Sequence, residues 1–451
     1  MTGQLGFRDT ICALASGLPP SAIAIIRISG PAVQAFAERH LSAGLPPPRL
    51  ATLTRIEDSS GNTLDQAVAL YFPGPKSYTG EDILELNLHG GPAVIDAVLS
   101  TLLATQGVRL AEAGEFTRRA FEAGKIDLTE AEAVADLIAA DTAGQRSLAL
   151  DQLGGSLSVA YETWRKKLIA ILALIEVAID FPDEADAPDY TDAPVLAQIE
   201  ALTADLAAAL NDDGIGERIR DGFRIALIGA PNAGKSSLLN RLAGRDAAIV
   251  TDVPGTTRDP IEVQLSLAGQ RVWIVDTAGL RQSNDAIEAA GMDRAKRAAA
   301  EADLTVLVVD KREGTVPAEV DAKDIELVVL NKSDLDGQAA SLSPDVSRET
   351  LALSARTGDG IDGLVAALSE RIKRRVAVAP APLITRHRHR VGLSTAQQHL
   401  GAAASVLTNR LGPEFAAEDL RRAISELSAL MGDIDVEEVL SAVFSEFCIG
   451  K

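Results

Sequence analysis

Apolar and polar positions follow three successive rhythms along this chain. In the first stretch, Ile23–Ile28 (IAIIRI), Ala67–Phe72 and Ile83–Leu88 (ILELNL) read as strands, the last in strict period-2 alternation. A helix is predicted over Pro92–Thr105 after the turn His89-Gly90-Gly91, and proline-rich turns fall at Pro46–Pro48 and Pro73–Pro75. Residues 1–118 therefore read as an α+β domain. From about Phe121 to Asp212 the composition shifts to Ala, Leu, Ile and Glu. Leu157, Tyr161, Trp164, Leu168, Ile171, Ile175 and Ile179 recur at steps of three and four, one stripe along a long helix. Such a stripe is expected to be bundle core rather than a cofactor site. Phe181–Pro188 breaks it, and a second helix is predicted over Ala193–Leu210.

In the third rhythm, residues 216–377, strands alternate with helices as a doubly wound, mostly parallel sheet requires. The predicted strands are Phe223–Ile228, Ile261–Leu267, Val272–Val275, Leu304–Val309, Ile325–Leu330 and Leu351–Leu353. The segment Arg371–Arg390 then carries seven Lys/Arg, two His and no acid, before helical patterning resumes to the end. The expected organisation is thus multidomain α/β and α+β, with residues 119–215 and 378–451 as two parts of a helical domain interrupted by an α/β domain.

Composition narrows the function classes. A net charge of −21 over 451 residues argues against nonspecific polyanion binding by the whole surface, though not against a local basic patch. Cys12 and Cys448 give no disulfide framework, and five scattered histidines give no zinc spacing. The longest apolar stretch, Leu168–Ile179, is interrupted by Glu176 and is too short to span a bilayer. With no secretory leader pattern, a soluble, cytoplasmic protein without membrane insertion is expected.

The chemistry concentrates at Gly229–Ser237 (GAPNAGKSS), placed between an apolar strand and a predicted helix. There Asn232, Ala233, Gly234, Lys235, Ser236 and Ser237 fit a phosphate-binding loop, whose backbone N–H groups converge on phosphates at a helix N-terminus. Lys235 would reach the β- and γ-phosphates, and the Ser236 hydroxyl would ligate Mg²⁺. Asp276-Thr277-Ala278-Gly279 closes the next strand; its carboxylate would hold Mg²⁺ indirectly and the Gly279 N–H would sense the γ-phosphate. Asn331-Lys332-Ser333-Asp334 closes another, where Asp334 can accept hydrogen bonds from guanine N1–H and the 2-amino group, a pattern adenine lacks. Ser354, Ala355 and Arg356 would back it with a main-chain N–H to the guanine oxygen. Between these, Thr251, Asp252, Val253, Pro254, Gly255, Thr256 and Thr257 form a switch-like loop, with Thr257 placed to complete the Mg²⁺ shell when γ-phosphate is present.

Hydrolysis needs a group to orient water, and Leu280 stands where Ras-type GTPases carry a glutamine. Glu288 is the first candidate and Asp285 the second. A charge worth about 10³–10⁵ in rate is also needed opposite the phosphates. A monovalent cation on the Asn232 side-chain oxygen would supply it, with Arg258 and Arg281 as rival arginines.

Together GAPNAGKSSLLN, TDVPGTTRD, DTAGLR, IIRISG, FPGPKSYTGEDILELNLHGG, GEFTRRAF, KIDLTEAEAVADLI, IDFPDE and the terminal FCIGK resemble the MnmE (TrmE) family of tRNA-modifying GTPases, across essentially the whole chain. The resemblance implies an N-terminal folate-binding domain that also makes a homodimer, a helical domain, and a GTPase domain inserted into it. It implies a flavoprotein partner, MnmG (GidA), bringing FAD, and installation of an aminomethyl or carboxymethylaminomethyl group on C5 of the tRNA wobble uridine. A 5-formyl- or 5,10-methylene-tetrahydrofolate would supply the carbon. Asn232, Thr251, the Val253 carbonyl and Thr256 match K⁺ ligands, Ser236 and Thr257 match Mg²⁺ ligands, and Glu288 matches the water-positioning acid. Arg27, Glu85, Lys125 and Lys451 match folate contacts. Residues 17–24 depart from the family's glycine-rich stretch, which bears on the pocket's entrance.

Alternatives stand beside these. Arg27, in an apolar strand, needs a carboxylate, either folate's glutamate tail or an internal acid. Glu85 either meets the pterin or faces solvent. Cys448 is a candidate nucleophile toward uridine C6 or a packed thiol. The basic segment either contacts tRNA phosphates or pairs with acidic neighbours. A ribosome-assembly GTPase would want an RNA-binding module such as a GxxG-bearing domain, which the C-terminal segment lacks. A pure binding switch is the other reading that Leu280 leaves open.

Overall fold

A computed structural model describes residues 9–180, 193–245, 262–276, 300–313, 325–335, 349–377 and 384–433, together with Leu440, Val443, Phe444, Phe447 and Gly450. The chain divides into two compact units, one of residues 1–135, 152–169 and 424–451, the other of 136–151 and 170–423.

The first unit holds β1 (Thr10–Leu14), β2 (Ser21–Ser29), α1 (Val33–His40), β3 (Thr52–Glu57), β4 (Thr63–Phe72), β5 (Ile83–Gly90), α2 (Pro92–Leu103), β6 (Val108–Leu110) and α3 (Glu115–Glu122). Its six strands lie in the order β3-β4-β5-β2-β1-β6, antiparallel except for the β1–β6 pair. Alternation in β5 sends Leu84, Leu86 and Leu88 into a core shared with Ile26, Ile28, Phe36 and Val98. Glu85 and Asn87 consequently face the other side. Three strands were legible in the sequence, β5 by its alternation. β1, β3, β6 and α1 were not, because β3 buries Thr54 beside Ile56 and the others are short.

The C-terminal segment returns to this unit. Phe444 and Phe447 pack with Leu128 and Ala131 of α4 (Leu128–Ile138), and a Cβ added to Gly450 would come within 2.1 Å of the Leu14 carbonyl oxygen at the end of β1.

Next come α5 (Ala143–Leu153), α6 (Ser156–Asp180) and α7 (Ala193–Leu210), the last matching its expected span. The α6 stripe is buried from Leu157 through Ile175, then continues at Ala178, with Ile179 only half-buried. The alternation of four and three was expected to end on a second step of four; packing keeps the regular step of three.

In the second unit, α8 (Ile215–Asp221) leads to β7 (Phe223–Ile228), α9 (Lys235–Ala243), β8 (Glu262–Leu267), β9 (Gln270–Asp276), β10 (Leu304–Asp310), β11 (Leu327–Asn331), β12 (Thr350–Ala352), α10 (Ile361–Ala377), α11 (His387–Thr408) and α12 (Pro413–Met431). The sheet order is β12-β11-β10-β7-β9-β8, all parallel except β8, which forms a hairpin with β9. All seven residues of β10 are buried, as expected of a strand covered on both faces. The ends of β7, β9, β10 and β11 thereby gather the polar segments singled out in the sequence.

Candidate nucleotide site

The phosphate loop is shaped by close backbone approach. Gly229 has φ 150° and a Cβ there would sit 2.1 Å from the Val308 carbonyl oxygen; Gly234 has φ 96° and a Cβ there would sit 2.1 Å from Asn331 Nδ2. Both positions exclude any side chain. Asn232 adopts φ 63° between them. Lys235 opens α9 and donates from Nζ to the carbonyls of Gly229 (2.8 Å) and Ala230 (3.0 Å). Burial lowers its pKa, with the Asp276 charge opposing that shift. Its ammonium is thus held by the carbonyls of its own loop. Ser236 Oγ donates to Asp276 Oδ2 at 2.5 Å, bringing a hydroxyl and a carboxylate together at the end of β9. This is the oxygen-only donor pair that Mg²⁺ favours. Ser237 follows on the exposed side of α9, and Ala233 is buried.

Asn331 ties two parts of the site together. Its Nδ2 donates to the Ala233 carbonyl at 2.8 Å, and its Oδ1 accepts from the Ala355 N–H at 2.9 Å. The Ser333 N–H donates to the Leu353 carbonyl at 3.1 Å, docking the Asn331–Asp334 turn on the end of β12. Ser354 Oγ donates to Asp334 Oδ1 (2.5 Å), and Arg356 donates to Oδ2 from Nε (2.9 Å) and Nη2 (2.7 Å). The Ser354 hydrogen bond, followed by that of Arg356, holds the Asp334 carboxyl below the usual range, so it is an acceptor at neutral pH. Lys332 adopts φ 63° and donates to Asp310. Asp310 was missed in the sequence, although it closes its strand as Asp276 does.

Thr251, Asp252, Val253, Pro254, Gly255, Thr256, Thr257, Thr277, Ala278, Gly279 and Glu288 lie outside the described residues, as do Leu280, Asp285, Arg258, Arg281, Cys448 and Lys451.

In the N-terminal unit, Arg27 and Glu85 are cross-strand neighbours, and Arg27 Nε donates to Glu85 Oε1 at 2.8 Å. The carboxylate that Arg27 requires is therefore internal, and the two expected folate contacts are each other's partner. The Arg27 guanidinium also lies 5.6 Å from the Phe116 ring centroid and 5.9 Å from that of Tyr78. Lys125 donates to the Pro75 carbonyl. Sequence reasoning missed Arg119, fully buried in α3 and bound to Asp9, Glu81 and Glu115. Its signal was an acid four residues earlier on the same helix.

The basic segment resolves toward pairing. Arg371 donates to Glu349 (2.8 Å), Arg375 to Glu326 (2.5 Å), Arg386 to Asp136 (2.9 Å), and Arg390 to Asp212 (2.6 Å) and Glu217 (3.2 Å). Arg371 and Arg375 belong to α10 and Arg390 to α11, rather than to an extended connector. Among the described residues no helix is long and apolar enough to cross a membrane, and no cluster of His, Cys, Asp or Glu could hold a metal ion.

Comparison with known proteins gives consistent matches. A family model described as the MnmE helical domain matches residues 128–448, and one described as the GTP-binding protein TrmE N-terminus matches residues 10–125. The chain is 57% identical over 445 residues to the tRNA modification GTPase MnmE of Hyphomonas neptunium, covering 98% of this chain and 99% of that protein. It is 50% identical over 444 residues to the protein of the same name from Maricaulis maris, with coverage of 98% and 99%. Likeness to the solved structure of Era from Aquifex aeolicus bound to GDP and AlF4⁻ is slight: 23% identity, TM-score 0.26, covering 39% of this chain and 66% of that one.

Proposed function

We propose, since this chain belongs to the MnmE family of tRNA modification GTPases, that its GTP hydrolysis is K⁺-stimulated and serves, with a flavoprotein of the MnmG (GidA) type, to modify C5 of the tRNA wobble uridine. The product is an aminomethyl or carboxymethylaminomethyl uridine, with the carbon taken from a tetrahydrofolate. The protein acts as a homodimer in the cytoplasm, divided into residues 1–118 for folate binding and dimerisation, 119–215 and 378–451 for the helical domain, and 216–377 for GTP.

The observation carrying this reading is the double hydrogen bond of Asn331, which joins the phosphate loop to the base-side loop in one groove. In that groove Lys235 shifts from its own loop carbonyls to the β- and γ-phosphates. Ser236, with Thr257 and with Asp276 behind it, would hold Mg²⁺; Asn232, with Thr251, Val253 and Thr256, would hold K⁺. These ions supply positive charge where the phosphoryl group leaves. Glu288 positions the attacking water. Asp334 selects guanine, and Ala355 presents its N–H to the base oxygen. Arg27 and Glu85, with Lys125 and Lys451, hold the folate; the paired geometry of the first two suits a ligand that both donates and accepts hydrogen bonds.

Turnover of GTP in KCl against NaCl tests the cation role, with faster hydrolysis in KCl expected and equal rates overturning it. Nucleoside analysis of tRNA from cells lacking the chain tests the pathway: retained wobble modification would refute it. Cys448→Ser retaining full modification with purified partner would remove the nucleophile role from that thiol.

A further inference from the structure

Asp310 lies at the rim of the nucleotide groove and has no part in the reading above. It ends β10 in register with Asn331 of β11 and is 4% exposed. Four donors converge on its carboxylate. Lys332 Nζ donates to Oδ2 at 2.8 Å and Arg312 Nη2 to the same oxygen at 3.1 Å; Oδ1 takes the Arg312 N–H at 3.0 Å and Arg312 Nε at 3.3 Å. Lys332, two residues before Asp334, is held in the left-handed backbone region at φ 63°, a conformation that persists only where the surroundings over-determine it. Arg312 also interacts electrostatically with Asp334. Arg312, which feels the Asp334 charge, and Lys332, two residues from Asp334 along the chain, are thus both bound to a different carboxylate.

That choice of partner matters because a carboxylate offers about four lone-pair positions. Ser354 occupies one on Asp334, and Arg356, 76% exposed on its side chain, holds others only through a water-screened surface pair. Guanine needs two of them, for N1–H and the 2-amino group. Arg356 can yield to the base; Lys332 and Arg312, if also drawn onto Asp334, would leave one position where guanine needs two.

Resting on the assignment of Asp334 as the guanine reader, we propose that Asp310 is a specificity-determining positioning residue: it sequesters Lys332 and Arg312 and so keeps the Asp334 carboxylate open to the guanine edge. Consistent with a permanent charge sink, hydrogen bonds from Arg312 and then Lys332 hold the Asp310 carboxyl far below the usual range.

GDP and IDP separate this role from a structural one, because hypoxanthine lacks the 2-amino group. In calorimetric titrations of the full chain, Asp310→Asn is expected to raise the Kd for GDP about tenfold while that for IDP moves less than about twofold, so the ratio of the two collapses. Asp310→Asn combined with Arg312→Ala, which removes one released cation, is expected to regain about threefold of that ratio. Asp310→Glu keeps the charge and is expected to hold the ratio within about twofold. Equal weakening of both nucleotides in Asp310→Asn, or no change in either, overturns the proposal. Loss of the ratio in Asp310→Glu does so too, even if Asp310→Asn does not fold. Asp334→Asn in the same titrations stands apart: no shift toward XDP there would sink the guanine assignment itself, whereas that shift with an unmoved ratio in Asp310→Asn would sink only the role of Asp310.

Discussion

Replacing Asn331 by alanine probes the link between the two halves of the nucleotide groove. Asn331 is 1% exposed, and its amide is the partner of the Ala233 carbonyl at 2.8 Å and of the Ala355 N–H at 2.9 Å. Truncation leaves both backbone groups without that partner in a region water does not reach freely. An abandoned buried donor or acceptor costs about 1–3 kcal/mol, so two give about 2–6 kcal/mol. The lower figure already corresponds to about a 30-fold rise in Kd if it falls on the nucleotide-competent arrangement. Calorimetric titration with GDP, alongside thermal unfolding of the same preparation, measures how the loss divides between binding and stability. Asn331→Asp retains an acceptor for Ala355 but sets a carboxylate against the Ala233 carbonyl, so it should not rescue the phosphate loop. Gly234→Ala attacks the same link from the other side, since its Cβ would lie 2.1 Å from Asn331 Nδ2 at a φ of 96°. A GDP affinity within about threefold of the unaltered protein, with no loss of thermal stability, would refute the linkage for Asn331→Ala.

Three further outcomes follow from other contacts. Ser236→Ala removes the hydroxyl now 2.5 Å from Asp276 Oδ2, and should lower GTP affinity about tenfold or more in Mg²⁺ but little in EDTA; equal loss in both would place Ser236 outside the metal site. Arg390→Ala strips the partner at 2.6 Å from Asp212, whose side chain is fully buried, and should destabilise by about 3–5 kcal/mol, read as a lower melting temperature; an unchanged melt would contradict it. In the N-terminal unit, burial opposes ionisation of Asp9 and Glu115, but hydrogen bonds from Arg109 and the nearby Arg119 outweigh it and hold both carboxyls below their ordinary values. Their stabilisation is complete above the unfolded values near about pH 4 and is lost as pH falls through the lowered folded values. Melting should therefore weaken below about pH 4, and Arg109→Ala should flatten that acid dependence.

What was legible in the chain depended on whether the information was local. The strands of the GTPase sheet announced themselves as apolar runs in β7, β10 and β11 and as alternation in β8. The proposed phosphate loop, Asp276, Asn331 and Ser354 stood out in the sequence because they sit at strand ends, where a parallel sheet delivers backbone and side chain to one edge whatever the rest does. Partnerships set by register were not legible. Arg27 needed a carboxylate and Glu85 needed a role, but only the pairing of β2 with β5 shows that each answers the other. The same holds for Arg119, whose acids arrive from Asp9 and Glu81 as well as from Glu115 on its own helix, and for Arg386 and Arg390, where tRNA contact and acidic pairing both stood open and the partners are Asp136 and Asp212. A linear charge run records what must be neutralised, not by whom. Asp310 is the sharpest case. Read alone it is one more acid at a strand end with Arg312 two residues on, and only its register with Asn331 brings it against Lys332. On the proposed reading, guanine selection depends on two carboxylates competing for the same cations, and a sequence motif names only one of them.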